Sequence, residues 1–213
     1  DDEIRAAEMS GAGWICMDVG YPRSLDSYKF RSRLREVTNS AYRARAGGLG
    51  VAVRIQMAGE FAAMGADAHR EFAANLTRRL YGGVDRWIID ISPESNLTLA
   101  AGMAANLVEV QQEEIPVMVS CDGGYRLYDS TTVAPEQRPA APGSPEWVFT
   151  ADPVDGERAP AVMTGQMNEA MDRGADVVFW KSTGGSSLLD ADHYSTEAWL
   201  ALRRFIRTLD ATD

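Results

Sequence analysis

The sequence predicts an α/β fold whose core is a doubly wound parallel sheet, a Rossmann-like lobe. Strand-like apolar runs alternate with helical patterns along almost the whole chain. The runs are nearly continuous in apolar residues, which is typical of strands buried on both faces. Each run ends at a polar or ionisable residue followed by a turn residue, so we expect these polar ends to share one ligand-binding edge of the sheet.

The first half of the chain carries the clearest pattern. Its predicted strands lie at 14–19, 49–57, 87–91 and 115–120, and its predicted helices at 27–44, 67–80 and 96–112. Phe30, Leu34 and Val37 recur at the spacing of one helical face. Strands joined by helices of this length must run parallel, because a parallel pair needs a long crossover.

A proline-rich segment interrupts the pattern in the second half. Proline restricts the backbone and removes a hydrogen-bond donor, so we interpret 126–145 as a connection between two lobes. Strands are predicted at 146–150 and 176–180, and helices at 161–173 and 196–209. The predicted domains are an N-terminal α/β lobe at 1–125, the crossing segment at 126–145 and a partial second α/β lobe at 146–213.

Composition narrows the range of partners and locations. The chain has 213 residues and a formal net charge of −10. An acidic surface repels a phosphate backbone, so we expect no nucleic-acid partner. No apolar run approaches the roughly 20 residues that a membrane span requires. The chain begins Asp-Asp-Glu, which leads us to expect that an earlier segment has been removed.

The polar residues at the strand ends form the candidate site. They are Asp18, Asp90, Asp122, Asp152 and Lys181. Carboxylates at such an edge can accept charge-assisted hydrogen bonds from hydroxyl or amine groups of a ligand. Asp and Ser at these points also cap helices, which is the alternative interpretation. Flat faces for stacking on a ring would come from the nearby tyrosines Tyr21, Tyr28 and Tyr125.

The order of these elements resembles the type I periplasmic binding protein fold. Segment 83–93 resembles the strand that precedes a ligand loop in that fold, and segment 114–122 resembles the next strand, which ends at a ligand-contacting Asp. Segments 147–156 and 176–185 resemble the first two strands of its second lobe. The fold is shared by sugar-binding proteins of ABC transporters, LuxP-like receptors and LacI-type effector domains. This chain is shortened relative to them, with one crossing segment instead of three.

The resemblance implies binding rather than catalysis, with a sugar, polyol or similar small polar ligand, no cofactor and no metal. The ligand-binding residues it implies are Tyr21, Ser24, Asp26, Asp90, Ser92, Asp122, Asp152 and Lys181. It also implies transport or signalling with an ABC permease or a sensor kinase, at a periplasmic or extracytoplasmic location. A shortened second lobe would expose a sheet edge, which a homodimer could cover.

Two other classes of function stay open. Ser-Pro after a strand, followed by a helix, a strand and Gly-Gly-Tyr, faintly resembles the SppA/ClpP class of serine peptidases, with Ser92 and Lys181 as the catalytic pair. A non-catalytic protein-interaction module is the other alternative. Cys16 and Cys121 are expected to be free thiols. A disulfide between them or a catalytic thiol at Cys121 is the alternative.

Overall fold

The computed structural model describes residues 2–20, 27–57, 59–91, 97–120, 126–129, 147–149, 160–172, 177–179 and 197–210. Its helices are α1 (Asp2–Ser10), α2 (Tyr28–Ala46), α3 (Gly59–Ala62), α4 (Ala66–Arg79), α5 (Leu97–Val110), α6 (Pro160–Asp172) and α7 (Glu197–Asp210). Its strands are β1 (Trp14–Asp18), β2 (Gly50–Met57), β3 (Arg86–Ile91), β4 (Val117–Ser120), β5 (Arg126–Asp129), β6 (Trp147–Phe149) and β7 (Val177–Phe179).

The first four strands form a parallel sheet, in which each strand lies beside the next one in the chain. Helices connect them: α2 joins β1 to β2, α4 lies between β2 and β3, and α5 joins β3 to β4. The predicted α/β class, with parallel strands and connecting helices, is confirmed.

Local chemistry explains where α2 begins and ends. The Ser27 hydroxyl accepts a hydrogen bond of 3.2 Å from the Phe30 amide, which satisfies one of the free donors of the first turn. The apolar residues predicted for the inner face, among them Leu34 and Val37, are buried. Just past the helix, Gly48 has φ of +85°, a backbone conformation that a side chain would strain.

The sheet continues through the second half of the chain. Strand β5 pairs antiparallel with both β4 and β6, and β6 pairs parallel with β7. Described strands on both sides of the predicted crossing segment therefore belong to one sheet. Strand β5 lies inside the predicted crossing segment, where its four residues are too few to give a periodic signal. The rest of that segment lies outside the described residues.

The two faces of the parallel strands have different partners. On one face, Val53 and Ile89 belong to the main core together with Leu34 of α2, Leu76 of α4 and Leu107 of α5. The other face holds a smaller cluster formed by Trp14, Cys16, Ala52, Ile88, Met118 and Val177. All six of these residues come from strands. The described helices α2, α4 and α5 pack against the first of these two faces.

The sheet curls so that its helix-free face turns inward. Neighbouring strands lie about 4.8 Å apart, so the first and last of seven flat strands would be separated by about 29 Å. Strands β1 and β7 nevertheless have Cα atoms within 8 Å of each other. Right-handed crossovers between parallel strands in sequential order place the connecting helices on one face of the sheet. The sheet is therefore strongly curved, and β1 and β7 are its two end strands.

Close packing between β1 and β2 makes Gly50 sensitive to substitution. A Cβ atom at Gly50 would lie 2.6 Å from ring atoms of Trp14. We expect Gly50→Ala to lower the free energy of unfolding by about 1–3 kcal/mol, the usual cost of overpacking, as measured by urea titration.

Gly102 in α5 provides the control, since no neighbouring atom lies within 4 Å of the Cβ it would acquire. There, Gly102→Ala should raise stability by about 0.5–1 kcal/mol through helix propensity. If Gly50→Ala were as stable as the unaltered protein, the Trp14 ring would not cover Gly50 as described.

Candidate functional site

Three charged side chains meet on the helix-free face, near the carboxyl ends of β1, β2 and β3. Arg54 Nε donates to Asp18 Oδ1, and Arg54 Nη2 donates to Asp18 Oδ2 at 2.5 Å. Arg54 Nη1 lies 3.5 Å from Asp90 Oδ2. The guanidinium therefore bridges two carboxylates that come from different strands, one of them through a bidentate contact.

The period of two along a strand places these residues on the inward face. Cys16, Ala52 and Ile88 belong to the interior cluster, and Asp18, Arg54 and Asp90 stand two positions further along β1, β2 and β3. Because the strands run parallel, all three charges lie towards the same edge of the sheet. The sequence-based expectation that Asp18 and Asp90 share one edge is confirmed.

Burial differs among the three charged residues. The side chain of Arg54 is only 11% exposed, whereas those of Asp90 and Asp18 are 18% and 38% exposed. A charge as buried as that of Arg54 is tolerated only when it is paired and hydrogen-bonded. Two carboxylates and one guanidinium give the group a net charge of −1 when all three are ionised, so the partly exposed excess charge is negative.

The surroundings stabilise the charged form of Arg54. Burial by itself would lower the pKa of the guanidinium, but the hydrogen bonds to Asp18 and the charges of Asp18 and Asp90 outweigh it and raise the pKa above its ordinary value. Arg33 of α2 adds a further contact, because its Nη2 donates to the backbone oxygen of Asp18 at 2.8 Å. The end of β1 is thus held by two arginines.

Cys16 lies directly below this group and behaves as a protonated thiol. It is a free, half-buried cysteine, as the sequence led us to expect. Burial, followed by the negative charge of Asp18, raises the pKa of its thiol well above the ordinary value near 9.0. A protonated thiol is a poor nucleophile, so Cys16 has the properties of a packing residue.

Asp90 is the one predicted ligand-binding residue that falls within the described part of the chain. The other seven lie outside the described residues, and their placement stays a prediction: Tyr21, Ser24, Asp26, Ser92, Asp122, Asp152 and Lys181. Cys121 and Tyr125 lie outside them as well. Tyr28, which the sequence offered as a stacking face, is exposed at the first position of α2.

Sequence reasoning missed Arg54 as a site residue, although a signal was present. Arg54 is the only ionisable residue within the apolar run of β2, which otherwise reads Gly-Val-Ala-Val, then Ile-Gln-Met. A charge inside a buried strand requires a partner of opposite charge. Two aspartates at the ends of neighbouring parallel strands were the available candidates.

A shallow groove lies at the opposite, amino-terminal edge of the sheet. Its volume is about 340 Å³, and it is lined by Trp14, Arg45, Gly48, Leu49, Gly50 and Asp85. Arg45 and Asp85 form an ion pair of 2.7 Å there, and Asp85 also accepts a hydrogen bond from the Val51 amide. These contacts tie the ends of α2, β2 and β3 together, so a structural role accounts for the polar residues of this groove.

The comparisons with known proteins add no family assignment. No protein-family model matches the chain, and no curated protein matches its sequence. Among the described residues, His, Cys, Asp and Glu side chains form no group of three or more that could hold a metal ion. The helices within the described ranges include none with the length and apolar character needed to cross a membrane.

Removing Arg54 should be far more costly than removing an exposed arginine. Arg54→Ala leaves two aspartates on the inward face without their shared counter-charge, and breaking a buried ion pair in this way costs about 3 kcal/mol or more. Arg45→Ala, which removes an exposed ion pair, should cost about 1 kcal/mol or less. Urea titration of both variants at neutral pH measures the difference, and equal losses would contradict the bridging role of Arg54.

The raised pKa of Cys16 predicts a dependence of stability on pH. The folded protein keeps the thiol proton at pH values where the unfolded chain loses it, so this contribution is complete below about pH 9 and is lost as pH rises further. The comparison uses two proteins that both carry Cys121→Ser, one with Cys16 and one with Cys16→Ala. Above pH 9, the free energy of unfolding of the protein with Cys16 should fall more steeply, by about 1.4 kcal/mol per pH unit. Parallel stability curves for the two proteins would show that the thiol has the same pKa in both states.

Proposed function

We propose that this chain binds a small hydroxylated or cationic molecule, such as a sugar or polyol, at the carboxyl edge of its parallel strands. The observation that supports the proposal is the pair of carboxylates that Arg54 holds together on the inward face. Asp90 and Asp18 would accept hydrogen bonds from the ligand, and Arg54 would keep their oxygens in place. Ligands of α/β proteins usually bind at this edge of the sheet.

The charge of the group favours this class of ligand over an anion. Arg54 is already engaged by Asp18 through two nitrogen atoms, and its third lies near Asp90. An anionic ligand would meet two carboxylates at this edge, and the guanidinium that contacts both of them is already paired. Hydroxyl and ammonium groups instead supply the hydrogen-bond donors that carboxylates accept.

The affinity of such a site depends on how many charge-assisted hydrogen bonds the ligand makes. A hydrogen bond to a charged group contributes about 1.5–3 kcal/mol when it replaces water. A dissociation constant of about 1 µM corresponds to about 8 kcal/mol. Four such bonds, supplied by Asp18 and Asp90 together with neighbouring loop residues, would contribute about 6–12 kcal/mol before the ligand's lost freedom is subtracted, so micromolar binding requires a site that is already ordered.

A fixed arginine also reduces the cost of binding. The bidentate contact and the burial of Arg54 limit the motion of the Asp18 carboxylate before any ligand arrives. Acceptors that are already oriented lose less conformational freedom on binding, which leaves more of the interaction energy as affinity. Preorganisation of this kind supports binding whether or not a reaction follows.

The finer elements of the hypothesis rest on the family resemblance. A periplasmic or extracytoplasmic sugar-binding role, with transport through an ABC permease or signalling through a sensor kinase, is part of the proposal. The serine hydrolase alternative depends on Ser92 and Lys181, which lie outside the described residues. The protein-interaction alternative predicts no response to small molecules.

A ligand that binds this site should raise the thermal stability of the protein. At a concentration of about 100 times the dissociation constant, binding adds about 2.7 kcal/mol. For a chain of this size that corresponds to a rise in melting temperature of about 5–10 °C. We expect a member of a panel of sugars, polyols and polyamines to give this rise by scanning fluorimetry, and Asp90→Asn to abolish it.

Glu109→Gln is the matched control, because Glu109 is an exposed carboxylate paired with Arg70 on the outer helices. That variant should respond to the ligand as the unaltered protein does. An equal response in Asp90→Asn would remove Asp90 from the site. Labelling of the protein by a fluorophosphonate probe, lost in Ser92→Ala, would favour the hydrolase alternative instead.

A further inference from the structure

The exposed side of α2 carries a concentration of positive charge that is unusual for this protein. The helix contains six basic residues and one acidic residue, in a chain whose net charge is −10. We define its basic face by four exposed cations that project away from the buried stripe: Lys29, Arg31, Arg35 and Arg43. They extend over about 21 Å of helix at 1.5 Å per residue.

Three of the six basic residues of α2 take no part in ion pairs among the described residues. Arg33 and Arg45, which belong to the same helix, contact Glu36 and Asp85 respectively. Lys29, Arg31 and Arg35 have no ion-pair partner within the described part of the chain. These three cations are exposed, and no ion pair with the described residues accounts for them.

The arrangement also opposes helix stability. The first turn of α2 contains no acidic residue, although acidic groups are the ones that the positive end of a helix favours. Lys29 and Arg31 occupy that turn instead. Arg31 and Arg35 are four residues apart, so their like charges repel each other on one side of the helix. Positions that break local rules without a gain for the fold are typical of functional surfaces.

Two exposed tyrosines accompany the cations. Tyr28 is 80% exposed and Tyr42 is 44% exposed. The Tyr42 hydroxyl donates to the backbone oxygen of Tyr81 at 2.5 Å, which holds the ring in place. Tyrosine and arginine are the residue types enriched in protein–protein interfaces, since they combine large contact area with hydrogen bonding.

We propose that the basic face of α2 docks an acidic segment of a partner protein. The argument is charge complementarity, because a row of exposed cations with aromatic neighbours offers partners to Asp and Glu side chains. A long nucleic acid would also come close to parts of the protein outside α2. Because the net charge of the chain is −10, those parts would repel its phosphates. A short acidic segment covers the helix alone, and at physiological salt the charges beyond about 8 Å are screened.

The test measures binding of a fluorescein-labelled peptide of alternating Glu and Ala residues to the full chain by fluorescence anisotropy. The double variant Arg31→Glu with Arg35→Glu should weaken binding by at least about tenfold. The control is Arg5→Glu with Arg204→Glu, which changes the net charge equally at exposed positions on α1 and α7. The control should change the affinity by less than about twofold, and binding to the unaltered protein should weaken as salt is raised.

The melting temperature of the double variant separates lost binding from lost folding. The two substitutions remove the like-charge pair, and Arg31→Glu places a carboxylate near the start of the helix, so the melting temperature should stay unchanged or rise. Equal loss of affinity in the control would show a net-charge effect and overturn the proposal. Tighter binding of single-stranded DNA of similar length, or self-association abolished by the double variant in sedimentation velocity, would assign the face to another occupant and overturn it too.

Discussion

The described residues that bury the inward face of the sheet come from the sheet itself, and the rest of the described structure follows from that constraint. Ala52, Ile88 and Met118 are buried, and the described members of the cluster they form all come from strands. Water is removed from them because the sheet curls and brings β7 towards β1. The helices can then occupy the outside, where their apolar stripes cover the opposite face of the same strands. Both faces of each strand are thereby shielded, as near-continuous apolar runs require.

The same constraint shapes the candidate site. A side chain on the inward face near the carboxyl edge is removed from bulk water, but it does not pack against an apolar helix surface. Arg54 in this position is stable because Asp18 binds it through two nitrogens and Asp90 lies beside it. The bridge joins three neighbouring strands at the edge where ligands of parallel sheets bind. The same carboxylates can pair with Arg54 and bind a ligand, because a carboxylate that contacts an arginine still has oxygen lone pairs that accept further hydrogen bonds.

The electrostatics of the molecule separate into two regions with opposite signs. The inward group has two carboxylates for one guanidinium, which suits a small donor ligand. The outer surface of α2 has several cations and one carboxylate, which suits an acidic macromolecular partner. Arg33 lies between the two regions, since it belongs to α2 and donates to the backbone of Asp18. This contact gives the two proposed binding surfaces a shared structural element without making either one depend on the other.

The sequence by itself determined the elements, their direction and the polarity of their ends. Local periodicity identified α2 through Phe30 and Leu34, and the length of each crossover required parallel strands. The sequence also placed Asp18 and Asp90 at strand ends. Only the tertiary structure decided which face each helix covers, that β6 and β7 join the first sheet, and that Arg54 bridges two aspartates. Arg54 and Asp18 are 36 residues apart, and no local pattern encodes a contact that depends on strand order, register and curl.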